Sequence, residues 1–146
     1  TISIEPEEYA KGQRTPGPNS WLTAVSATCP NEDRNFNDIF DAPDVNNQGN
    51  EEFPTLQPGG VVAVELLDSL TRADGTARFV LRYPQDHAYY VRVRIRARTT
   101  VQGTEYSSTT SPFWLPGASS DFNNLQVSPP GMASPFGTSD TCSNHL

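Results

Sequence analysis

The chain has 146 residues, with 10 Lys plus Arg against 17 Asp plus Glu, for a net charge of -7. That is the length of one domain, enough to bury a core without staples, and its acidity excludes a globally basic nucleic-acid binder. Thirteen prolines and ten glycines fall without period, which excludes collagen. One lysine (Lys11) and one methionine (Met132) are not the composition of a helical bundle. No apolar run approaches the roughly 20 residues that cross a bilayer. No signal peptide opens the chain, which fits a mature protein or a domain of a longer one.

Residues 1–4 alternate and predict a short edge strand. The polar, proline-rich stretch 5–19 reads as a linker. Residues 20–28 predict a strand, 30–53 form an acidic, Asn-rich loop, and 61–67 predict the next strand. Asp74-Gly75 signals a hairpin turn leading into a strand over 76–83, which Pro84 stops. The cleanest pattern covers 89–99, where Val91, Val93, Ile95 and Ala97 alternate with Arg92, Arg94, Arg96 and Arg98. A period of two marks a strand buried on one face and wet on the other. Gln102-Gly103 then turns the chain into 104–115. Residues 116–146 hold Pro116, Pro129, Pro130 and Pro135, show no period, and read as an irregular tail. Short strands between turn signals, with no convincing helix, predict a single all-β domain over 1–146, an antiparallel β-sandwich; a small barrel fits the same pattern.

The acidic stretch repeats itself. Within 31–52, seven carboxylates face one cation, Arg34, a local net of -6. Residues 33–41 and 44–52 align so that oxygen-bearing side chains fall at the first, third, fifth and ninth places: Asp33, Asn35, Asn37 and Asp41, then Asp44, Asn46, Gln48 and Glu52. A turn-tolerant residue follows each fifth place, Asp38 in one copy and Gly49 in the other. Calcium wants six to eight oxygen ligands. A loop coiled around the ion presents alternate side chains, with the backbone carbonyls of Ile39 and Asn50 completing each set. The spacing resembles the calcium loops of EF-hands, dockerins and related extracellular repeats, without flanking helices. Asp38 must take a backbone angle that Asp tolerates better than most. Neither copy is followed by a bidentate Glu; Asp44 stands at that place for the first copy and is positioned to serve both. Asn and Asp also suit plain solvated turns, but two copies in register, holding most of the net charge, favour calcium.

Cys29 and Cys142 lack CxxC spacing, which argues against zinc and thioredoxin-type chemistry. A bridge between them would pin the tail to the base of the acidic loop and place the protein in an oxidising exterior. The arginines of 89–99, with Arg78 and Arg82, could meet an anionic partner; a solvated face paired to Glu65 and Glu105 is the simpler expectation. Trp21, Trp114, Tyr89 and Tyr90 could line a sugar surface, with the two tryptophans expected mostly in the core. His87 and His145 are the only histidines, and no catalytic motif is present, so no enzyme is expected.

Residues 71–77, 90–97 and 101–105 resemble the later strands of bacterial immunoglobulin-like domains, the modules of intimin- and invasin-type adhesins. The resemblance covers about a third of the chain and departs at the acidic insertion and the tail. It implies a non-enzymatic structural or adhesive module of a secreted or cell-surface bacterial protein, with neighbouring domains and a possible glycan or protein ligand as partners, and neither nucleic acid nor membrane insertion. A carbohydrate-binding module of a secreted hydrolase is the alternative.

Overall fold

The structure is a computed structural model that describes residues 1–42, 44–45 and 56–144. It is all-β, built of antiparallel sheets. The strands are β1 (Ile2–Pro16), β2 (Trp21–Pro30), β3 (Ala63–Leu66), β4 (Phe79–Arg82), β5 (Val91–Val101), β6 (Thr104–Thr109) and β7 (Phe113–Trp114). One helical turn, α1 (Ser119–Phe122), follows them. The larger sheet runs β2-β1-β5-β6, with β7 taking over from β6 along β5, and β3 pairs with β4 in a separate hairpin. No helix among the described residues is long and apolar enough to cross a membrane.

The N-terminal expectation is corrected. What reads as a four-residue edge strand and a linker is one 15-residue strand in the middle of the sheet. Pro6 is tolerated because pairing with β2 begins only at Glu8, and because the register against β5 shifts between Pro6 and Glu8. Gly12 sits at a second bulge with φ +142, where a Cβ would collide with the Ala24 carbonyl. Tyr9, Ala10 and Lys11 are all buried, so this stretch has two covered faces and no alternation to read.

The tail provides part of that cover. Beyond Ala10, where β5 no longer pairs, it runs along the free edge of β1. Gly12 N donates to Gly137 O, Arg14 N to Met132 O, and Ser134 N to Gly12 O. Phe136 enters the core beside Tyr9, Tyr90, Val91, Val93 and Leu115. The disulfide Cys29–Cys142 closes the arrangement across 113 residues.

The arginines of β5 do face an acidic strand, but it is β1. Arg92 pairs with Glu8 (2.8 Å), Arg94 with Glu7 (2.9 Å) and Glu5 (2.6 Å), and Arg96 with Glu5 (2.5 Å). Of the expected partners, Glu65 pairs across strands with Arg82 in the small hairpin. Burial alone would raise the Glu5 carboxyl; hydrogen bonds and charge from Arg96 and Arg94 outweigh it and hold the group below its ordinary value. A depressed folded value means this stability is present above the ordinary glutamate range, about 4.3, and is lost as pH falls through the folded value. Glu5→Gln should therefore cost about 2–3 kcal/mol at pH 7. In denaturant titrations the gap between variant and wild type should narrow as the pH falls below the ordinary glutamate range; a gap independent of pH would contradict the clamp.

Candidate functional site: the acidic loop

After β2, Asn31 N donates to Glu7 O at 2.8 Å and ties the base of the loop to β1, and Val45 N donates to Glu32 O at 3.1 Å and closes the loop on itself. Between these ties the chain coils around its own side chains. Asp33, only 4% exposed, accepts Asn37 N–H on Oδ1 (3.2 Å) and Asp38 N–H on Oδ2 (2.8 Å). Asn35 Oδ1 accepts Asn37 N–H (3.2 Å), and Asn37 Oδ1 accepts Ile39 N–H (2.8 Å). Both amides donate to Asp41, Asn35 to Oδ1 at 2.8 Å and Asn37 to Oδ2 at 3.0 Å. Asp44 reaches back to both ends of the segment, accepting Arg34 N–H at 2.7 Å and Asp41 N–H at 3.1 Å.

The sequence places Asp33, Asn35, Asn37, Asp41 and Asp44 together, and the structure joins all five in one hydrogen-bonded coil. Asp38 takes φ +58, the left-handed turn expected of it, and its carboxylate lies beside Gly60. Ile39 turns its side chain to solvent, 62% exposed. Asn46, Gln48, Asn50 and Glu52, the rest of the second copy, lie outside the described residues, as does His145.

The chemistry of this coil follows from lone pairs. A carboxylate offers about four acceptor sites and an amide oxygen two, so the backbone hydrogen bonds fix these groups without using up their oxygens. Among the described residues, Asp33, Asp38, Asp41 and Asp44 make no ion pair. No three His, Cys, Asp or Glu side chains among those residues gather closely enough to hold a metal by themselves. The donor set is a mixed one, carboxylates interleaved with amides, which suits a hard cation wanting many oxygens rather than a transition metal.

The aromatics divide. Tyr90 is fully buried, while Tyr89 is 38% exposed; Trp114 is half-buried against the core cluster, and Trp21 is half-buried away from it. Trp21 donates its indole N–H to Asn124 O (3.1 Å) and Val127 O (3.0 Å). It borders an open groove of about 380 Å³ with Leu22, Tyr89 and Phe122. Sequence reasoning missed Arg14, which anchors this region from within. Its guanidinium lies 4.2 Å from the Tyr90 ring centre and 4.9 Å from that of Phe122, and donates to Ala88 O at 2.6 Å. No pattern could reveal it, because the strand carrying it reads as a linker. Compared with protein-family models, with curated proteins and with solved structures, the chain finds no match.

Proposed function

We propose that the chain is a non-enzymatic, calcium-binding immunoglobulin-like β-sandwich module of a secreted or cell-surface bacterial protein, structural or adhesive in role. The observation that supports this most is the 33–44 coil: five oxygen-bearing side chains fixed by hydrogen bonds, four by backbone N–H groups and Asp41 by the Asn35 and Asn37 amides, with a left-handed turn at Asp38 and four carboxylates without a cation partner among the described residues. Calcium cancels that charge and fixes the loop's shape, and with it the surface offered to a neighbouring domain or a ligand. The disulfide agrees with an oxidising exterior.

Asp33→Ala and Asp44→Ala should each lower calcium affinity at least tenfold in isothermal titration, about 1.4 kcal/mol or more. Glu105→Gln, on β6 and away from the loop, should change nothing. Equal affinities in all four proteins would remove the coil from the reading.

A second reading, a carbohydrate-binding module, draws on the groove beside Trp21 and Tyr89, whose rings could stack on a sugar. Quenching or a shift of tryptophan fluorescence by soluble glycans, abolished in Trp21→Ala, would favour it.

A further inference from the structure

The chain's single lysine sits where lysines are rarely found. Lys11 is fully buried on β1. Its Nζ donates to the backbone carbonyl of Asn144, to Ser139 Oγ at 3.2 Å and, at 3.5 Å, to Asn144 Oδ1. The Ser139 hydroxyl stands 2.8 Å from Asn144 Oδ1. Glu32 is also fully buried, and its charge acts on Lys11. Lys11 and Asn144 are 133 residues apart. The disulfide brings them together, since Cys142 lies two residues before Asn144 and is tied to Cys29 on the strand next to β1.

An amine and a carboxamide held in contact inside a protein are reactants as well as hydrogen-bond partners. In water a lysine is protonated and is no nucleophile. Burial pushes Lys11 down from its ordinary value more than the Glu32 charge raises it, which favours the neutral, nucleophilic amine. A hydroxyl donating to Asn144 Oδ1 polarises the side-chain carbonyl toward attack. Fixed proximity supplies the rest, because a contact enforced by the fold replaces a bimolecular encounter.

We propose that Lys11 and Asn144 become joined by a side-chain amide bond, formed by the folded chain on itself. The Nζ lone pair adds to Cγ of Asn144 and the Nζ–Cγ bond forms. The Cγ–Nδ2 bond then breaks and the amide nitrogen leaves as ammonia. Glu32 takes the proton from Nζ and returns it to Nδ2, so the step consumes no oxidant, reductant or other reactant. The product is a second clasp of the tail onto β1 beside the disulfide, and one that thiols cannot open.

The test is the intact mass of the full chain after folding, reduction and alkylation, followed by peptide mapping. Wild type should be lighter than its sequence by one ammonia and should yield a branched peptide joining the Lys11 and Asn144 segments. Lys11→Met and Asn144→Ala should have their full sequence masses. Glu32→Gln should form the link at least tenfold more slowly. Folded wild type at full mass, with only linear peptides, would overturn the proposal. So would an ammonia loss that persists in Lys11→Met, because Asn144 would then be cyclising on its own backbone. Linkage in Glu32→Gln at the wild-type rate would remove the carboxylate from the step. Asn144→Ala alters a tail position outside the core cluster, so it keeps the test usable if a buried variant does not fold.

Discussion

Cys142→Ser is expected to lower the midpoint of thermal unfolding by about 10–20 °C. The bridge closes a loop of 113 residues, and in the chain-entropy account a closure of that size contributes about 4–5 kcal/mol by restricting the unfolded chain. For a protein of this size each kcal/mol moves the midpoint by about 2–4 °C. The folded state loses as well, because the bridge seats the tail that hydrogen-bonds to Gly12 and Arg14 along the edge of β1. The measurement belongs in an Asn144→Ala background, so that a covalent link at Lys11 does not close the same loop. A drop smaller than about 3 °C there would mean that the tail is held without the bridge.

Phe136→Ala is expected to cost about 3–5 kcal/mol, the usual range for removing a buried aromatic ring. Its ring is 5% exposed, 5.0 Å from that of Tyr9 and 5.5 Å from that of His87. Ser134 locks the approach, donating its hydroxyl to Ala10 O at 2.6 Å and accepting Phe136 N–H at 3.2 Å. The surrounding strands are hydrogen-bonded on either side and have little room to collapse into the space left behind. Urea unfolding should show a lower midpoint with an unchanged slope, the mark of lost stability rather than an altered unfolded state. A loss below about 1 kcal/mol would place Phe136 outside the core.

Both effects fall on a segment whose role the sequence hides. The tail has no period because it contributes scattered single contacts, Phe122, Ser134, Phe136, Ser139 and Cys142 among them, rather than a face. β1 is hidden for a related reason. Prolines at 6 and 16 and glycine at 12 read as a linker, yet each falls at a register shift or a strand end, and burial on both sides erases the alternation. With β1 unread, the partners of Arg92, Arg94 and Arg96 could not be named, and neither could the buried Lys11. β5 was legible throughout its first half because one of its faces is apolar and the other ionic. β2 and the turn at Gln102-Gly103 were legible for equally local reasons, with Gln102 at φ +49 and Gly103 at φ +81. The coil at 33–44 was legible through its spacing alone, since ligand spacing is a property of consecutive residues and needs no knowledge of the sheet.

That coil carries the functional reading, and one experiment reaches it directly: thermal unfolding of the disulfide-bonded chain in excess calcium and again in excess chelator. At free calcium 100 times the dissociation constant, binding to the folded state alone adds about 2.7 kcal/mol, so a rise in midpoint of about 5–10 °C is expected. The rise should vanish in Asp33→Ala. Identical midpoints with calcium and with chelator would contradict the calcium site and leave the coil as a set of acidic turns.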